Sequence, residues 1–171
     1  MASEPSTPPG GGAGTSTQAQ TASPGWVKLV AIVGLAWNLL GTLAFFWYTV
    51  LMEMFVTPEA MAALPEAERV QLQLQLDMVQ AMPSWVTWVF AIAVFGGVLG
   101  CILMLMKRKL AVPVFALSLA GIVIQNIHSF GIARVHETFG ASTFIQPALV
   151  FIIGVFLLWV AIKAKNAGWS R

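Results

Sequence analysis

Four runs of the chain are almost wholly apolar for roughly 20 residues or more, the length needed to cross the hydrocarbon core of a bilayer. They extend from Val27 to Val50, Val86 to Met106, Leu110 to Phe130 and Phe144 to Ile162, and the polar residues gather between them. In lipid each backbone N–H and C=O must find its partner within the spanning segment, so the runs predict helices. A membrane barrel would show many short alternating segments, and none is present. The expected architecture is therefore all-α: a polytopic bundle of four transmembrane helices, residues 26–171, behind a tail.

That tail, residues 1–25, consists largely of Gly, Pro, Ser, Thr, Ala and Gln and has no apolar cluster to bury, which predicts disorder. A cleavable secretory signal starts with a short basic stretch and a short apolar core. Here a long neutral tail precedes a full-length span, so the first span is read as retained.

The longest polar interval lies between spans one and two. Thr57-Pro58-Glu59 and Pro65-Glu66-Ala67-Glu68 are successive helix-start signals, and Pro83 closes the interval. The run "VQLQLQLD" alternates like a strand, but Leu and Gln favour helix. A short extramembrane helix is expected there. On a helix Val70, Leu74, Met78 and Met82 form one apolar stripe and Leu72, Leu76 and Val79 another, so this element is expected to cap the bundle or lie on the membrane surface.

Composition supports the membrane reading: 58% of the residues are hydrophobic and 9% are charged, against about a quarter charged in ordinary soluble domains. The net charge of +2 makes no case for nucleic acid. Its distribution says more. Lys28, Lys107, Arg108, Lys109, Lys163, Lys165 and Arg171 fall on one side of the four spans, while Arg69 and Arg134 fall on the other with most of the acids. The positive-inside bias then predicts cytoplasmic termini. Interfacial aromatics agree, with Trp26, Trp159 and Trp169 on the basic side and Trp47, Tyr48, Trp85 and Trp88 on the opposite side.

Few polar residues lie inside the spans. Asn38, near the middle of the first, needs a partner; the spacing of Gly34, Asn38 and Gly41 puts them on one face, suited to close helix contact and an interhelical hydrogen bond. Gly96 and Gly100 form a small-xxx-small face in the second span, suited to packing within the monomer or to a homodimer. In the third, Ser118, Gly121, Gln125 and His128 share a face and Asn126 points elsewhere. His128 is expected near the outer interface, open to water and headgroups. The candidate binding residues are thus Asn38, Gln125, Asn126 and His128, and the candidate packing residues Gly34, Gly41, Gly96, Gly100, Ser118 and Gly121.

Chemistry beyond packing finds little support. The only cysteine is Cys101, which rules out an intrachain disulfide and a cysteine metal cage. His136 does not continue the face of His128, so no metal or haem site is expected. Nor do a serine, a histidine and an acid fall at spacings suited to nucleophilic catalysis, and the expectation is no enzyme and no cofactor. The spans lack Asp and Glu between their interfacial ends, which disfavours proton antiport through a buried carboxylate.

The segments "LAWNLLGTLAF", "PSWVTWVFAIAVFGGVLGC", "KRKLAVPVFALSLAGIVIQ" and the closing "AGW" resemble a family of small bacterial inner-membrane proteins with four spans. The resemblance covers Trp26 to Trp169. Its members often bear the label sugar transporter, which comes without assigned binding residues. It implies an inner-membrane location and either an accessory or interaction role or, as the alternative, small-solute transport by a homo-oligomer. The expected partners are the lipid bilayer and a second copy or a larger membrane complex, with no nucleic acid.

Overall fold

The computed structural model describes residues 24–170, apart from the side chain of Glu53. The predicted disordered tail, 1–25, lies outside the described residues except for its last two. Helix α1 (Gly25–Phe46) runs through a π-helical turn (Trp47–Leu51) into α2 (Met52–Phe55). Two extramembrane helices follow, α3 (Pro58–Ala62) and α4 (Glu66–Gln80), and then α5 (Ser84–Leu105). Helix α6 (Ala111–Asn126) ends in a second π-helical turn (Ile127–Ile132), followed by α7 (Val135–Phe139), a 3-10 turn (Ala141–Phe144) and α8 (Ile145–Asn166). Among the described residues there is no strand.

Four helical stretches are long and apolar enough to cross a membrane: Gly25–Leu51, Ser84–Leu105, Ala111–Ile132 and Ala141–Asn166. The chain is an all-α, multi-pass integral membrane protein. The observed helices start and stop a few residues from the expected bounds, because helices run past the apolar run into the interface, where water satisfies the end groups.

Local chemistry explains the ends. Thr57 caps α3, its Oγ1 accepting from the Ala60 N–H at 3.2 Å, with Pro58 in the first turn, where a missing N–H costs nothing. Two helices close with the same cap, in which a left-handed residue lets two successive N–H groups fold back onto the last turn. After α5, Lys107 N–H bonds Met104 O at 3.1 Å and Arg108 N–H bonds Leu103 O at 2.8 Å; after α8, Gly168 N–H bonds Lys165 O at 3.1 Å and Trp169 N–H bonds Ala164 O at 3.0 Å. The left-handed position is Gly168 in one cap (φ 70°) and Lys107 in the other (φ 57°).

Helix α5 is the hub. It packs most extensively on α6 and next on α1, α6 packs on α8, and α1 meets α8 least. Consecutive spans are neighbours, as short connections require. The main buried cluster joins Val27 and Ala31 of α1, Cys101 and Met104 of α5, Ala111 and Phe115 of α6, and Leu157, Val160, Ala161 and Ala164 of α8. Every one of these lies toward the end that carries the basic residues.

Helix α4 has no buried residue and no extensive contact with a span, so of its two expected placements the cap on the bundle is disfavoured. Its Gln73 side chain instead donates to Asp77 Oδ1 at 2.8 Å on its own surface, one of the i,i+4 pairs that support a helix with no tertiary partner.

Candidate functional site

The polar side chains within the spans meet the hub helix at three separate levels. At the first, Asn38 of α1 donates through Nδ2 to Gly34 O at 2.7 Å, one turn back on its own helix, and reaches Cys101 Sγ on α5 at 3.8 Å. Its Oδ1 lies against Gly97, where a Cβ would collide with it. The amide is thus held partly by its own helix and partly by α5, a mixed arrangement in place of a plain interhelical hydrogen bond. Thr42 Oγ1 donates to Asn38 O at 2.9 Å and Thr49 Oγ1 to Phe45 O at 2.7 Å, so these hydroxyls too are satisfied on the helix that carries them.

The second level is about 6 Å farther along α5, at 1.5 Å per residue. Ser118 of α6, buried, donates to Ala93 O at 2.5 Å. Glycines bring the two helices this close. A Cβ on Gly96 would sit 3.0 Å from Ser118 Cβ, one on Gly100 would sit 2.6 Å from Phe115 Cε1, and one on Gly121 would sit 3.2 Å from Ala93 Cβ and from Val89 O. The small-residue face of Gly96 and Gly100 is therefore filled by α6 of the same chain. Gly34 is similarly filled, with Leu157 Cδ2 2.8 Å from the position of its missing Cβ. Gly41 shares the Gly34 and Asn38 spacing but has nothing within 4 Å of that position, so it makes no close helix contact within the chain.

The third level is about 12 Å beyond Ala93. His128 is 8% exposed, with its ring edge-on to Trp85 at 5.4 Å and an interplanar angle of 89°. The expectation of a histidine open to water is corrected: Trp85 of α5 lies over it. Depth along a helix can be read from spacing, but the neighbour that covers a side chain cannot.

Gln125 and Asn126 behave differently from these. Both are half-buried, and neither has a hydrogen-bond partner among the described residues. They stand just before the π-helical turn, flanked by exposed Val123, Ile124 and Ile127. His136 lies apart, its ring 5.3 Å from Phe144 and 6.2 Å from Phe130, and the two phenylalanines stack at 4.2 Å.

The sequence-derived candidates thus do not converge. Asn38, Ser118 and His128 each meet α5 at a different depth, while Gln125 and Asn126 have no partner among the described residues. Among the described residues no three His, Cys, Asp or Glu side chains are grouped so as to hold a metal ion. Sequence reasoning missed two pairings here: Gly97, which seats Asn38, and Trp85, which covers His128. The i+4 relation of Gly97 to Ala93 and Cys101 was the available signal for the first. Comparison with known proteins finds no matching family, no similar curated protein and no similar solved structure.

Proposed function

We propose that this integral membrane protein is a non-enzymatic interaction subunit of the bacterial inner membrane, with both termini cytoplasmic, and that it meets its partner through the half of the bundle away from the basic end. The observation that carries this reading is the pair of unpartnered amides. An amide exposed to hydrocarbon is costly and seeks a hydrogen bond, and Gln125 and Asn126 have none among the described residues. Exposed apolar side chains flank them, as a face that meets another spanning helix requires. The resemblance to small four-span inner-membrane proteins supports the location, and the seven-to-two division of basic residues supports the orientation.

The same amides favour one other reading. Uncharged carboxamides suit an uncharged polyhydroxyl solute, and in transporters such groups line a path shared between repeats. Four spans would then require a homo-oligomer to complete it.

One set of experiments addresses both. In a Cys101→Ala background, Asn126→Cys is expected to cross-link to a neighbouring chain in native membranes. Gln125→Leu with Asn126→Leu is expected to release the chain from its assembly on native gels without lowering its own thermal stability. A monomer with unchanged mobility before and after these substitutions would sink the interaction reading. Saturable sugar uptake by reconstituted vesicles, abolished by the same pair, would put transport first. For orientation, Gln73→Cys should react with an impermeant maleimide on intact cells and Lys165→Cys should not.

A further inference from the structure

At the basic end, the start of α1, the turn between α5 and α6, and the residues after α8 border a shallow crevice of about 20 Å³, open to solvent at its mouth. Its floor is apolar, formed by side chains such as Ala161 and Ala164. Its rim carries Lys28, Lys107 and Arg108, with Trp169 and Ser170 closing one side.

Three observations mark this crevice as built to receive an anion. The first is charge without compensation: among the described residues the one ion pair is Arg134–Glu137, so Lys28, Lys107 and Arg108 have no carboxylate partner. The second is a buried hydroxyl, Ser170 Oγ, which lines the crevice and has no hydrogen-bond partner among the described residues. The third is backbone conformation. Lys107 holds the left-handed position of its cap, at φ 57°, where the equivalent cap after α8 has Gly168. A non-glycine residue there costs about 1–2 kcal/mol, and such outliers concentrate at sites with a task.

The crevice is also pre-shaped. Trp169 is fixed by an edge-on contact with Trp26 at 6.2 Å, and the Lys163 ammonium sits 5.5 Å from the Trp26 ring centre. Indoles of this kind settle at headgroup depth. A basic pocket between spanning helices at that depth matches the phosphate of an anionic lipid.

We propose that the mouth of this crevice binds the phosphate of an anionic phospholipid headgroup through Lys28, Lys107 and Arg108, with the Ser170 hydroxyl turning to donate to the same group and the acyl chains running up the apolar surface beside it. The proposal stands whether the chain is an interaction subunit or a transporter, because it uses neither Gln125 nor Asn126.

The test uses the full chain purified in detergent, with lipid retention read by native mass spectrometry and thermal protection read in parallel. Phosphatidylglycerol is expected to be retained and to raise the melting temperature, and phosphatidylcholine is not. Lys107→Gly keeps the cap, since glycine suits the left-handed position, and is expected to weaken retention about fivefold, as the loss of one interfacial charge implies. Adding Arg108→Gln should weaken it by about the same factor again. The control is Lys109→Gln with Lys165→Gln, which removes two charges from the same end but none from the crevice.

Equal weakening by the control pair would show diffuse surface attraction and overturn the proposal. So would equal retention of phosphatidylcholine. Protection by inorganic phosphate alone, with no further gain from phosphatidylglycerol, would assign the site to a free anion and overturn the lipid assignment. A Lys107→Gly variant that gains thermal stability in lipid-free detergent while losing phosphatidylglycerol retention is the expected signature of strain held for binding.

Discussion

At the basic end the four spans converge on one buried cluster, the ends of α5 and α8 are closed by paired backbone hydrogen bonds, and an edge-on indole pair and a lysine pack across the terminal helices. At the opposite end two spans finish in π-helical turns, α4 buries none of its residues, and Gln125 and Asn126 lack partners among the described residues. Spanning helices gain little from hydrophobic burial against one another, because lipid tails are as apolar as leucine. Cohesion must come from close fit, and the main buried cluster lies in one half, with Met52, Val86 and His128 buried outside it in the other. The other half keeps the polar and irregular features that a self-sufficient bundle would eliminate.

The largest expected break in this contrast is at the glycines. Gly100→Ala drives a methyl into the Phe115 ring and Gly97→Ala drives one into the Asn38 amide, and each should cost about 1–3 kcal/mol, the usual range for overpacking. Gly41→Ala should be neutral or slightly stabilising, since open space surrounds that position and alanine is the better helix former. Unfolding in mixed micelles measures all three, and equal effects at Gly41 and Gly100 would refute the idea that fit is local.

The next effect is at the loose end. His128→Ala removes a ring packed edge-on beneath Trp85 and should cost about 1 kcal/mol, the typical worth of an aromatic pair beyond its area. If Trp85 fluorescence and stability are both unchanged in that variant, the indole is not a lid over the histidine. Asn38→Leu should cost about 0.6 kcal/mol, the average for polar contacts between spanning helices, because the side chain bonds partly to its own helix and its removal leaves little unpaired on α5.

Much of this architecture is legible from the chain itself. The four apolar runs, the Lys107–Lys109 turn and the Thr57-Pro58 helix start all reflect local physics, in which length, charge and capping chemistry act over a few residues. Helical spacing puts Ser118, Gly121, Gln125 and His128 on one face; Ser118, Gly121 and His128 are buried, whereas Gln125 is half-buried and does not turn into the bundle core. Partner identity is not local. Spacing groups Gly41 with Gly34, yet α1 passes its neighbours in such a way that only Gly34 meets Leu157 and Cys101. Spacing also gives the depth of His128 without revealing Trp85 above it. The π-helical turns are invisible for a related reason: one extra residue in an apolar stretch leaves its composition unchanged.

The smallest effect is outside the membrane. Backbone and Thr57 hydrogen bonds at the start of α3 hold the Glu59 carboxyl below its ordinary range. A depressed carboxyl contributes above its unfolded pKa and loses that contribution as pH falls through the folded value. Acidification should therefore loosen this exposed helix, and Thr57→Val should move the Glu59 titration upward in an NMR experiment. No upward movement would mean that the Thr57 hydroxyl does not hold the carboxylate.

Each π-helical turn has a mechanical consequence. A wide turn is an α-helix that has taken in one surplus residue, and expelling that residue would rotate everything beyond it by about 100° and advance it about 1.5 Å. Trp47–Leu51 and Ile127–Ile132 both lie in the half away from the basic cluster. The bundle therefore resembles two threaded rods clamped at the same end, each carrying one notch of slack near its other tip, where Met52 and His128 are the side chains that hold it in place.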